Sequence, residues 1–248
     1  MARWHAAPVS EPAASDPTTP CFQFVDVSLQ APGGEAILSR VDASVASGGV
    51  TVLVGPSGSG KSTLLRLCNR LEVPTTGHVL FRGRDVAGLD PLAHRRRVGM
   101  VFQRPTLFAG TVRDNLLVAE PGGTDEDFQA VLERVVLDGS FLDHTADDLS
   151  VGEAQRACIA RALLTRPEVL LMDEATSALD PDARRAIERL ALDLVEGGLT
   201  LLWVTHDLEQ VRRLIGEQID RVLVVLGGRV AAPDEAATFL ADRDPDTA

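Results

Sequence analysis

An α/β fold with a mostly parallel sheet is what this sequence predicts, and three observations carry the prediction. Short, nearly continuous apolar runs recur along the chain, as strands buried on both faces require. Helical stretches separate several of them, the order of a wound α/β sheet. A glycine-rich loop follows the first such run and leads straight into a helical stretch.

The first twenty residues are rich in Ala, Pro, Ser and Thr and read as a disordered tail (1–20), lacking the basic start and apolar middle of a secretory signal. Residues 21–248 are read as one domain. Phe22, Phe24, Val27 and Leu29 are loosely spaced for a strand, and the turn Pro32, Gly33, Gly34 follows. A β hairpin ending near Val45 is expected, giving an N-terminal antiparallel β subdomain. Val50 to Val54 is the first buried strand, and Val98 to Phe102, Val169 to Met172, Thr200 to Val204 and Val222 to Leu226 are the others. Between about 104 and 165 no strong strand candidate appears, while Val112 to Val118 and Asp125 to Leu137 have helical spacing. An α-helical subdomain inserted into the core is expected there. Asp234 to Asp242 reads as a short surface helix; with about twenty residues beyond the last expected strand, an extra C-terminal regulatory domain is not expected.

Composition narrows the function. With 248 residues and 45% apolar content the chain can bury one full core. Its apolar runs are far shorter than the roughly 20 residues a membrane-crossing helix needs. Cys21, Cys68 and Cys158 are far apart and form no CxxC pair, so neither a disulfide framework nor a zinc site is suggested, and a reducing cytoplasm fits. A net charge of −12, from 24 Lys and Arg against 36 Asp and Glu, opposes nucleic acid as a partner. The run Arg95, Arg96, Arg97 is read as a solvated helix end.

Two motifs carry chemistry. Gly55, Pro56, Ser57, Gly58, Ser59, Gly60, Lys61, Ser62 fits GxxxxGK[ST], between a buried strand and a helix that continues through Thr63. Glycines let backbone N–H groups curl around phosphate oxygens, the helix start adds its dipole, Lys61 reaches the β- and γ-phosphates and Ser62 places a hydroxyl on Mg²⁺. The expected core is therefore that of a P-loop NTPase, with ATP and Mg²⁺ as ligands. The run Val169 to Met172 then delivers Asp173 and Glu174 to a strand's carboxyl end, where such sheets bind ligands. Asp173 would hold the metal, and Glu174 would orient and deprotonate the attacking water.

The segment Leu149, Ser150, Val151, Gly152, Glu153, Ala154, Gln155, Arg156 resembles the signature sequence of ATP-binding cassette (ABC) ATPases, and further elements of that family stand in order around it. These are Gln103 after a buried strand, Ser177, Ala178, Leu179 and Asp180 after the acids, and His206 beyond the run Thr200 to Val204. The resemblance implies that Gln103 senses Mg²⁺ and the γ-phosphate and links the core to the helical subdomain. It implies that His206 contacts the γ-phosphate, that Asp180 belongs to the nucleotide site, and that Ser150 and Gly152 meet the γ-phosphate bound to another subunit. A dimer with itself or with a paralogous ATPase is implied, docked on integral membrane permease subunits at the inner face of the cell membrane.

Two departures stand out. Val151 occupies a position where the family pattern has glycine, and no aromatic stands near Ala31, where family members stack adenine; there is no Tyr in the chain. Weaker adenine preference is the expectation. The strings LSVGEAQR, LFAGTVRDNL and LLWVTHD resemble the ATPases of bacterial iron-export systems and plant aluminium-tolerance transporters, with phosphate-import ATPases next. A soluble ABC ATPase of the iron–sulfur cluster assembly type and a regulatory module that hydrolyses little are the other readings.

Overall fold

The computed structural model describes residues 19–216 and 218–242. Most of the expected N-terminal tail thus lies outside the described residues.

The chain opens with the antiparallel pair β1 (Phe22–Gln30) and β2 (Ala36–Val45). The loose spacing of Phe22, Phe24, Val27 and Leu29 has a structural cause. Asp26 sits in the left-handed region at φ 47°, and the register jumps from Phe24 opposite Ala43 to Val27 opposite Val41. This is a β-bulge: one extra residue on β1 restores the alternation, so the four apolar side chains all face inward while Val25 turns outward. Two further strands, β4 (Thr76–Phe81) and β5 (Arg84–Asp85), complete a four-stranded sheet in the order β2-β1-β4-β5. The expected subdomain is therefore present and larger than the hairpin alone.

The main sheet has six strands in the order β10-β9-β3-β8-β7-β6. Here β3 is Gly49–Val54, β6 Val98–Val101, β7 Val169–Asp173, β8 Thr200–Val204, β9 Val222–Leu226 and β10 Arg229–Val230. All pairings in it are parallel except the short β9–β10 pair. Alternation along the strands divides two apolar cores. Val50, Val52, Leu170, Met172, Leu201 and Trp203 face one core; Leu53, Leu171, Leu202 and Val204 face the other. Both faces are covered, which is why these strands read as unbroken apolar runs.

The second core packs the N-terminal sheet and α1 (Lys61–Cys68) against the main sheet, while α2 (Pro91–Arg97) precedes β6. The basic run on α2 is more than a solvated end. Arg95 donates to the carbonyls of Asn69 and Arg70, and Arg97 makes a paired contact with Glu168 at 2.5 and 3.1 Å. On the other face lie α6 (Pro181–Glu196), α7 (Leu208–Ile215) and the helices between β6 and β7, namely α3 (Val112–Ala119), α4 (Asp125–Arg134) and α5 (Val151–Leu164). Each of α3, α4 and α5 begins with a reciprocal capping box, Thr111 with Asp114, Thr124 with Asp127 and Ser150 with Glu153. The last helix, α8 (Pro233–Ala241), follows β10. Among the described residues no helix is long and apolar enough to cross a membrane.

Candidate functional site

Four parallel strands end on the same edge of the main sheet, and each hands the chain to a segment singled out by its sequence. The loop from Gly55 leaves β3, Gln103 follows β6, Asp173 ends β7 with Glu174 next to it, and His206 follows β8. Ligand sites in wound sheets form at such strand ends because loops converge there while the strands hold them rigid.

The loop is shaped for close approach. A side chain on Gly55, at φ 148°, would lie 2.1 Å from the Val225 carbonyl oxygen. One on Gly60, at φ 104°, would meet Leu38 at 2.7 Å. Only glycine fits either place, and the backbone is free to wrap a ligand. Gly55, Ser57, Gly58, Gly60, Lys61, Ser62 and Thr63 wall a cleft with Ile37, Gln103, Glu174 and His206. Pro56 and Ser59 complete the loop; the Ser59 hydroxyl is buried without a hydrogen-bond partner.

Lys61 is 6% exposed and folds back over its own loop, donating to the carbonyls of Gly55 at 2.9 Å and Pro56 at 2.7 Å. Burial pulls its ammonium below the usual range, and the nearby Glu174 and Asp173 pull the other way. Asp173 is 4% exposed and accepts the Ser62 hydroxyl at 2.8 Å. Burial pushes its carboxyl up, while the Ser62 bond and the Arg66 and Lys61 cations oppose that. Glu174 lies past the strand in the left-handed region, at φ 46°, held by its own N–H on the Val204 carbonyl. Its Oε2 accepts from the Gln103 amide at 3.0 Å, and Nδ1 of His206 stands 3.5 Å from the same oxygen.

The donor set suits a magnesium-bound triphosphate. Gly55 and Gly60 hold the loop on a course that a Cβ would block against Val225 and Leu38, the Ser59 hydroxyl has no protein partner, and Ser62, Asp173 and Gln103 offer hard oxygen ligands. The structure thus brings together every residue of the first two motifs with Gln103 and His206.

It does not bring in Ser150, Gly152 or Asp180. Ser150 caps α5, its hydroxyl accepting from the Glu153 N–H at 3.3 Å while the Glu153 carboxylate accepts from the Ser150 N–H at 2.8 Å. Val151 follows as the first helical residue, 61% exposed, and Gly152 faces the Ala178 carbonyl and Leu179 of the same chain. Asp180 caps α6 by accepting from the N–H groups of Asp182 and Ala183. Ala31 lies in the β1–β2 turn, and no Phe, Tyr or Trp is among the described residues walling the cleft.

Sequence reasoning missed one contributor, Ile37, and gave a second, Gln155 of the signature segment, no role of its own. Ile37 is the apolar wall of the cleft, and its only signal was its place on β2. Gln155, fully buried, donates to the carbonyl of Phe102, directly before Gln103, and so joins α5 to the segment carrying that residue. Cys21, Cys68 and Cys158 are buried free thiols, and burial raises Cys21 to about 11.

With this geometry established, comparison with known proteins decides the family. The family model described as ABC transporter matches residues 38–177. The chain belongs to the ABC transporter family. Such ABC ATPase domains bind ATP with Mg²⁺. The chain is similar to the protein STAR1 of Oryza sativa subsp. japonica, 46% identical over 79% of this chain and 57% of that protein. It is also 39% identical to the phosphate import ATP-binding protein PstB 3 of Natronomonas pharaonis, over 86% of this chain and 82% of that one. Its fold matches the structure of a bacterial Atm1-family ABC exporter with ATP bound at a TM-score of 0.78 and 28% identity, covering 90% of this chain. It spans only 57% of the rice protein and 40% of the exporter chain.

Proposed function

We propose that this chain is the ATP-binding and ATP-hydrolysing subunit of an ABC transporter, working as a dimer beneath separate permease subunits at the inner face of the membrane. The observation that carries the reading is the convergence of Lys61, Ser62, Asp173, Glu174, Gln103 and His206 on one cleft beside the glycine loop.

The loop N–H groups and the start of α1 bind the phosphates, and Lys61 exchanges its two carbonyl partners for phosphate oxygens. Mg²⁺, held by Ser62, Gln103 and Asp173, would supply positive charge that offsets the triphosphate. Glu174 orients the water and takes its proton, while Gln103 and His206 hold the carboxylate and the terminal phosphate side of the cleft. Ser150 and Gly152 serve the cleft of the partner subunit. The Ser150 hydroxyl can keep its capping bond through one lone pair and still donate its proton to a phosphate. Asp180 acts at the same interface.

Residues 104–165 are read as the arm that answers the permease. Phe102, Phe108, Val118 and Met100 line an apolar groove beside Gln103, rimmed by Arg95, Arg104 and Arg161, with Arg161 lying 4.9 Å from the centre of the Phe108 ring. Phe108 and Val118 are more than half exposed, as a docking surface requires. Cargo and direction belong to the permease. Metal-ion export, the reading of the signature string, is the finer proposal, and phosphate import is the alternative supported by the likeness to PstB 3.

The test is turnover of Glu174→Gln. Loss of the base should cut ATP hydrolysis by about 10²–10⁴ and leave ATP binding in place, checked by phosphate release and by equilibrium nucleotide binding. Wild-type turnover no faster than the variant's would leave a regulatory module as the reading.

A further inference from the structure

Glu174 and His206 stand on different segments, and a buried polar cluster behind the cleft ties those segments together. Thr176, just past Glu174, is 2% exposed. Gln210, in the first turn of α7 past His206, is 3% exposed. Its amide nitrogen donates to the Thr176 hydroxyl at 3.0 Å and to Glu188 of α6 at 2.7 Å. Glu188 is 4% exposed and takes paired bonds from Arg213 at 2.8 and 3.1 Å. At the start of α7, Asp207 accepts from the Gln210 N–H at 3.1 Å and stands 3.7 Å from Arg184 and 3.8 Å from Arg213.

A buried carboxylate and a buried amide are costly unless their partners are fixed in place. Packing α6 on α7 would be served by the Glu188–Arg213 pair alone. The amide does something else: it reaches off the helices to the hydroxyl of a turn. That turn carries Glu174 in its left-handed conformation, a state that persists only when its surroundings over-determine it. The Val204 carbonyl holds it from one side and the Gln103 amide from another. A cavity bordered by Thr176 and Gln210 runs up to Glu174 and His206, which places the pair directly behind the cleft.

We propose that Gln210 is a positioning residue for hydrolysis: its amide, anchored on Glu188, holds Thr176 and so fixes the Glu174 turn relative to His206. The inference rests on Glu174 acting as the base, so Glu174→Gln is measured beside it.

The full chain is assayed for ATP turnover, for affinity toward a fluorescent ATP analogue with Mg²⁺, and for thermal stability. Gln210→Leu and Thr176→Val should each lower kcat by about tenfold, the worth of one buried hydrogen bond, with nucleotide affinity unchanged. Thr176→Ser, which keeps the hydroxyl, should restore turnover. In a His206→Ala background Gln210→Leu should add almost nothing, because both changes spoil one geometry. If Gln210→Leu does not fold, the Thr176 pair decides alone. Normal kcat in the variants, affinity falling in step with kcat, or full additivity with His206→Ala would overturn the proposal. A Glu174→Gln chain as fast as wild type would overturn the base assignment itself, a separate outcome.

Discussion

The cleft at the strand ends and the start of α5 are both expected to touch the γ-phosphate, yet they are built in opposite ways. In the cleft, groups from β3, β6, β7 and β8 meet one another: Ser62 on Asp173, Gln103 and His206 on Glu174, and Lys61 on its own loop. Adjacent parallel strands in register leave those segments little freedom, so the site is pre-formed. At α5, Ser150 and Glu153 satisfy each other and stand outside the cleft. One region is complete within the chain; the other is a finished helix start with no ligand partner among the described residues of its own chain. On the proposed function, the contrast separates a reaction centre assembled within the chain from a contact surface that a second subunit would use.

Ser150→Ala is the strongest way to break that comparison. In a Glu174→Gln background, where ATP is held without being consumed, ATP-driven dimerisation should weaken by more than about tenfold, since a charge-assisted hydrogen bond contributes roughly 1.5–3 kcal/mol at each of two sites. Monomer affinity for ATP should not move. The capping loss should cost about 1 kcal/mol of stability. Light scattering with and without ATP, nucleotide titration and thermal melts separate these three readouts. Equal losses in ATP binding by the monomer would place Ser150 in its own cleft and erase the contrast. Glu153→Gln sharpens it. The Glu153 carboxylate is held in its charged form by the Ser150 bonds, at the helix end that would receive a phosphate. Removing that charge should strengthen ATP-driven dimerisation by several-fold, on the order of 1 kcal/mol, in the same light-scattering assay.

The same contrast explains what could be read in advance. Buried parallel strands announce themselves, because both faces are covered and the run is continuous; β8 and β9 fall where the sequence places them. Motif residues on strand ends were legible for the same reason. What was missed is antiparallel or long-range. The strand β4 buries only Val79 and Phe81, with Gly77 at φ 80° near its start, so its short alternation drops below notice. Gln210 and Glu188 belong to no motif; only packing of α6 against α7 brings them together, and no local spacing reports it. The position of Ser150 relative to the cleft is likewise a fact of tertiary structure.

A final prediction concerns how well the helical region is made. Its helix starts carry three capping boxes, and one of its helix ends is poor. After α4, Val136 adopts φ 62°, with its N–H on the Glu133 carbonyl while Leu137 N–H returns to Leu132. This is the left-handed C-terminal stop that glycine fills without strain. A β-branched residue there costs about 1–2 kcal/mol, and the Val136 side chain is 51% exposed, so little packing offsets it. Glycine gives back roughly 0.5–1 kcal/mol in unfolded-chain entropy. Val136→Gly should therefore stabilise the chain by a net of about 0.5–1 kcal/mol, a rise of roughly 1–4 °C in Tm for a domain of this size. Turnover and monomer ATP affinity should be unchanged, because the turn lies outside the cleft. A lower Tm would mean that Val136 makes apolar contacts worth more than its backbone strain, and that the helical region is tuned as closely as the strand ends.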